Sequence, residues 1–266
     1  MHRGVWDAFG DRFKDSNTVI TPDLPGFGKS PILPSGFSLA QVAVQLIQFV
    51  EDKAFNNCVL IGHSLGGYVA LAVEFKDHVV VLEGGQSEAR GLAVIEETKK
   101  VIPNKPIRYV VNTHAHFDHA SGLAPFAGQG ITIITHDNNK SYLEKALGAP
   151  RTLVGDTLAK SNKKPKVESA GSKRVLKDDT RTIELHHIEN LAHSNGQLVG
   201  YLPKEKILFT ADFNIPAQGQ PVSPFIGVLV QNVERLKLDF DRHVLVHAPN
   251  PDRPVTRADL LALAKQ

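Results

Sequence analysis

Thr113-His114-Ala115-His116-Phe117-Asp118-His119 places three histidines and an aspartate within six residues. Imidazole nitrogen and carboxylate oxygen are the ligands that zinc and its neighbours accept, and imidazole is the commonest of them. In an extended loop, residues two apart point the same way. The spacing therefore predicts that His114, His116 and Asp118 converge on one point, with His119 turned to a second point beside it. The chain has 12 His and one Cys, Cys58. That count excludes a disulfide framework and any multi-cysteine zinc site, so a metal here must be held by histidines and carboxylates. Further candidates stand downstream at His193, Asp212 and His247.

The elements that must position these residues follow from the apolar pattern. Leu71–Phe75 and His78–Leu82, separated by Lys76-Asp77, read as a hairpin, although Tyr68–Phe75 also fits the continuation of a helix. Residues 89–102 read as a helix closed by Pro103. Ile107–Asn112 is a strand that delivers the histidine cluster. Ile131–Ile134 reads as a strand and Lys140–Leu147 as a helix. Thr182–His187 is a strand followed by the loop 189–196 that bears His193. Gln197–Leu202 and Lys206–Thr210 form a hairpin that ends at Asp212. Val244–Val246 ends at His247, and Thr256 caps a last helix, Arg257–Ala264. Each candidate thus follows the C-terminal end of a strand, where α/β proteins assemble sites. His186 and His187 lie in a strand with one facing in and one out, and His136 reads as structural. His2, His78 and His243 carry no signal.

A second motif stands apart. Cys58–Ile61 reads as a strand running into Gly62-His63-Ser64-Leu65-Gly66, a G-x-S-x-G turn of the kind that thrusts a serine Oγ outward. Thr18–Ile20, the loop Asp23–Ser30 and a helix from Leu39 to about Lys53 precede it. This stretch, residues 5–72, resembles part of the α/β-hydrolase family. That family's first strands and oxyanion loop would precede residue 5 and are not expected within this sequence, and no acid or base follows in hydrolase-like sequence. Ser64 is therefore an elbow without a visible triad.

From about Leu71 to Leu263 the ordered set of motifs resembles the metallo-β-lactamase superfamily. The fold that this implies is α/β: a metallo-β-lactamase-like αββα sandwich (71–266), preceded by an N-terminal βαβ-type fragment resembling part of an α/β-hydrolase (1–70). The resemblance assigns His114, His116 and His193 to a first metal. Asp118, His119 and His247 go to a second, with Asp212 as the bridge. It implies two divalent ions, zinc by preference with iron or manganese also suited to such donors. It also implies Asp118 and His193 as catalytic residues. An Asp at the bridging position, where some true β-lactamases carry Cys, looks more like the glyoxalase II and lactonase branches. Two departures stand out: the superfamily's strands ahead of Leu71 are missing, and Val-His-Ala-Pro surrounds His247 where relatives often carry His-Gly.

The function expected is hydrolysis of an ester, lactone, thioester or β-lactam. The alternatives are a serine esterase built on Ser64, or a metal-binding fusion with little activity. A net charge of +2 is too balanced for a dedicated nucleic-acid binder. The lysine-rich run 160–177 reads as a solvated loop or surface face. No apolar run reaches the ~20 residues that span a bilayer. The start of the sequence shows no signal-peptide h-region, and the cytoplasm is the expected compartment. The expected partner is a small-molecule substrate; residues 1–70 are expected either to dock on the metallo-domain, covering the edge left bare, or to exchange between two copies in a homodimer.

Overall fold

The chain divides into two units, Met1–Ile61 and Gly62–Gln266. A computed structural model describes residues 69–151, 155–216, 220–247, 249 and 253–265, together with Gln48. The expectations for residues 1–68, including the Ser64 turn, and for Ala248 lie outside the described residues.

Within the second unit the described strands form two mixed sheets. The first runs β1 (Leu71–Glu74), β2 (Val79–Leu82), β3 (Ile107–Val111), β4 (Thr132–Thr135), β5 (Val167–Ser169) in spatial order. β1 and β2 are the expected antiparallel hairpin, with Leu71 opposite Leu82, and β2 to β5 are parallel. The helical reading of Tyr68–Phe75 does not hold over Leu71–Glu74. Parallel strands need crossovers, and helices supply them. These are α1 (Glu88–Val101), α2 (Phe117–Ala120), α3 (Leu123–Gly128), α4 (Asp137–Gly148) and α5 (Thr157–Lys160). Ser87 caps α1 by accepting from the Arg90 amide, and Lys99 and Lys100 sit in its last turn, where cations oppose the carbonyl dipoles. His136 caps α4 by accepting from Asn138 N, so the expected structural role is the observed one.

The second sheet orders β11 (Val255–Thr256), β10 (Arg242–Leu245), β9 (Ile207–Thr210), β8 (Leu198–Leu202), β7 (Thr182–His187) and β6 (Lys173–Lys177). Only β9 and β10 pair in parallel among them. Two helices accompany this sheet, α6 (Phe225–Arg235) and α7 (Arg257–Leu263). α7 carries the expected Thr256 cap in a reciprocal box with Asp259. The run 160–177 is not a loop throughout, because β5 and β6 occupy part of it. Its lysines are nonetheless exposed, and those on β6 blunt the sheet edge.

Alternation along each strand sorts the core into layers. Val80, Leu82, Val111 and Ile134 face Ile183, Leu185, Leu198 and Phe209 between the sheets. Val79, Val81, Val110 and Ile133 face the helices through Ile95 and Phe126. On the far side, Val199 and Leu208 meet Ile226, Leu229 and Leu260. Strands buried on both faces read as unbroken apolar runs such as Val79–Leu82, all four of which are buried. The sheets approach so closely that a Cβ at Gly200 would stand 2.8 Å from Leu82 Cδ1. Two sheets with helices outside each is the expected sandwich. Among the described residues, no helix is long and apolar enough to cross a membrane.

Candidate metal centre

Four chain segments deliver the candidates to one end of the sandwich. β3 runs into Thr113–His116. After β7 the loop 188–197 carries His193. Asp212 follows β9 by two residues, and His247 follows β10 by two. One expectation fails in detail. Only His114 and His116 lie on extended chain, because His116 is the N-cap of α2, and Asp118 and His119 sit on its helical turn. Helical spacing, not alternation, sets these two side chains: both join the second group, although the His119 ring stays 4.3 Å from that of His114.

The seven candidates form two groups that share one carboxylate. His114, His116, His193 and Asp212 make the first; Asp118, His119, His247 and Asp212 make the second. Within each group the donor atoms lie within 4.8 Å of one another. In the first, His114 Nε2 is 3.0 Å from His116 Nδ1 and 3.2 Å from His193 Nε2. Asp212 Oδ2 lies 2.7 Å from His193 Nε2 and 3.1 Å from His114 Nε2. In the second, Asp212 Oδ1 lies 3.2 Å from His119 Nε2 and 3.1 Å from His247 Nε2. Asp118 Oδ2 stands 3.4 Å from His119 Nε2 and 3.7 Å from His247 Nε2. Asp212 thus turns one oxygen to each group.

The donor set fits a pair of cations. Tetrahedral ligands at 2.0–2.1 Å from zinc stand about 3.3 Å apart, close to the separations between the imidazole nitrogens here. Three imidazoles facing one another at such distances offer lone pairs that a central cation satisfies better than shared protons do. Burial lowers the pKa of His114, which favours the neutral, ligating form. Burial also opposes the charge on Asp212. Hydrogen bonds from His114, His119 and His247 outweigh it and hold the carboxyl well below the usual range. Asp212 adopts a left-handed backbone (φ 65°), a conformation Asp tolerates better than most residues.

The surrounding structure shows residues that the spacing gave no reason to suspect. Glu83, fully buried just past β2, accepts from His119 Nδ1 (2.8 Å) through one oxygen and from the Thr113 amide (2.8 Å) through the other. It holds a positive φ of 75°, a strained conformation for a residue with a Cβ. A carboxylate behind a ligating imidazole fixes the ring and strengthens the donor. Burial would lower the pKa of His119. The charge of Glu83 and the hydrogen bonds to Asp212 and Glu83 override this and raise it to about 10. Thr113 Oγ1 contacts His114 Nδ1 at 3.2 Å, and the Phe225 ring lies 5.3 Å from that of His193. The only advance signal for Glu83 was a carboxylate ending an all-apolar strand before Gly84-Gly85.

The site opens on one side. The side chains of His114 and His119 are 0% exposed, whereas Asp118 is 28% and His247 33% exposed. Phe117, between His116 and Asp118, is 77% exposed. His186 is buried against Glu184, and His187 stacks on His136 at 3.9 Å between ring centroids.

Comparison with known proteins agrees with this fold. The sequence matches the metallo-beta-lactamase superfamily over residues 64–231 and the alpha/beta hydrolase fold over residues 3–74. The two matches overlap at residues 64–74, which end with the first strand of the hairpin. The dihydrolipoyllysine-residue acetyltransferase component of the acetoin cleaving system from Cupriavidus necator is 38% identical over 72 residues. That match covers 26% of this chain and 19% of the relative. The 2,4-dinitroanisole O-demethylase subunit alpha of Nocardioides sp. is 24% identical over 190 residues, covering 68% of this chain and 53% of the relative. The chain therefore spans from about a fifth to about half of these two relatives. The metallo-beta-lactamase from Pontibacter korlensis superposes with a TM-score of 0.55 at 18% identity, covering 74% of this chain and 86% of that one. FIM-1 from Pseudomonas aeruginosa, solved in a mono-zinc form, gives 0.54 at 17% identity, covering 74% and 81%. At these identities the structures share the fold alone.

Proposed function

The chain belongs to the metallo-beta-lactamase superfamily, and we propose that it is a metal-dependent hydrolase with a dinuclear centre. The two oxygens of Asp212, one facing each histidine group, carry this reading. His114, His116 and His193 would hold one ion, and Asp118, His119 and His247 the other. Zinc suits the all-His/Asp shell, and one structural neighbour was solved with it. When bound, such ions lower the pKa of water to about 7 and polarise a carbonyl.

The chain's own residues supply the rest. Asp118, on the open side, accepts a proton from the attacking water and orients its lone pair. Glu83 and Thr113 hold the rings of His119 and His114 so that Nε2 points inward. His193, packed on Phe225, closes the first group against Asp212. The substrate is a small molecule bearing an ester, lactone, thioester or β-lactam carbonyl. The balanced charge supports neither nucleic acid nor a membrane as partner, and the cytoplasm remains the proposed compartment.

The test is turnover of a panel of those four carbonyl classes, with an aryl methyl ether added because one relative is named as a demethylase. Chelator and His116→Ala should each abolish turnover, and Ser64→Ala should leave it unchanged. Loss with Ser64→Ala but not with chelator would install the serine esterase instead. Chelator that lowers the melting temperature of a chain inactive on the whole panel would favour a metal-binding fusion.

A further inference from the structure

Asn112, Thr135 and Asn139 form a buried chain of polar groups that no ligand assignment uses. Asn112, just past β3, donates through Nδ2 to His114 O (2.7 Å) and His119 O (3.0 Å), the two ends of the ligand-bearing segment. Its Oδ1 accepts from Thr135 Oγ1 (3.1 Å), the last residue of β4. Thr135 Oγ1 accepts in turn from Asn139 Nδ2 (3.3 Å), in the first turn of α4. The same Nδ2 donates to Gly196 O (2.8 Å), three residues beyond His193. Relative exposures are 0%, 0% and 6%. Neither β4 nor α4 contributes a ligand.

Donor arithmetic gives the chain a single sense. Each amide nitrogen has two hydrogens and each is used; the threonine has one and it is used. No hydroxyl or amide in the chain can reverse without leaving a buried donor unpaired, so the arrangement is rigid. Gly196 belongs to it, because a Cβ there would collide with the Asn139 amide. A direct backbone bond from Leu198 N to Thr113 O (2.8 Å) runs alongside.

We propose that Thr135 and Asn139 are positioning residues that set where His193 stands relative to His114 and His116. They do so by clamping the His193 loop to the His114–His119 segment. This rests on the metal-centre reading above. Groups behind the ligands of a metal site typically change metal affinity by about 10–100-fold when removed.

Thr135→Val deletes the hydroxyl at nearly constant shape, and Thr135→Ser keeps it. Cobalt(II) is titrated into the metal-stripped full chain against a competing chromophoric chelator, and the d–d absorption is recorded. Thr135→Val should bind cobalt about 10–100-fold more weakly with an altered absorption envelope, and Thr135→Ser should match wild type in both. If Thr135→Val does not fold, Asn139→Ala carries the same expectation. Wild-type affinity and spectrum in the folded variant would overturn the positioning role and leave the metal reading intact. A wild-type chain that binds no cobalt would overturn both.

Discussion

Glu83 shows how a site extends past its ligands. Its carboxylate is wholly buried and tied to His119 and the Thr113 amide, so it fixes the ring that completes the second group. Glu83→Gln keeps the shape and removes the charge. Metal affinity should fall by about 10–100-fold, read by chelator competition on the folded protein. Unchanged affinity would reduce Glu83 to a packing residue. The ligands themselves were legible because their chemistry is concentrated in residue type and spacing: H-x-H-x-D-H, then His193, Asp212 and His247 after successive strands. Glu83 was not legible, because one glutamate at a strand end has no spacing partner. Its meaning appears only when β2 brings it under His119. Asn139 is a stronger case, for nothing in the first turn of an ordinary helix points to a loop fifty-seven positions away.

At the scale of elements, strand order decides what meets. β9 and β10 lie parallel, Thr210 opposite Leu245, and so deliver Asp212 and His247 from neighbouring strand ends. The same pair buries His243, whose Nε2 lies 2.7 Å from Thr210 Oγ1 and whose ring lies 6.1 Å from that of Phe240. Burial lowers its pKa to about 3, against about 6.5 in an unfolded chain. Between those values the unfolded chain takes up a proton that the folded chain refuses. Stability therefore falls as pH falls from 6.5 toward 3, by up to about 1.4 kcal/mol per pH unit. In urea titrations across that range, His243→Gln should show a shallower acid limb than wild type; parallel limbs would contradict this origin. The hairpin β1–β2, helix α1 and the α7 cap were legible from periodicity and capping residues. α2 was not, because four residues show no period and the extended spacing of His114 and His116 suggested more of the same. α6 was missed because Phe225-Ile226-Gly227-Val228-Leu229-Val230 reads as a nearly unbroken apolar run with a glycine and β-branched residues, which fits strand as well as helix. β6 was hidden by its lysines, which mark an edge strand as readily as a loop.

At the scale of the whole molecule, the sequence joins two matches, one ending at residue 74 and the other beginning at residue 64. Six of the seven metal-centre candidates lie in the second, His247 stands beyond its end, and Ser64 marks the first residue where the two overlap. Exchange of the first segment between two copies remains a proposal from the sequence. Light scattering tests its precondition: exchange requires twice the 29.0 kDa chain mass, and the single mass excludes it. In the metallo-domain, Asp212 is proposed to join two histidine groups into one dinuclear centre. Elemental analysis of the purified full chain, wild type beside Asp212→Ala, tests it most directly. Wild type should carry two divalent ions per chain and folded Asp212→Ala at most one. A metal-free wild type, or an Asp212→Ala variant that keeps both ions, would contradict it.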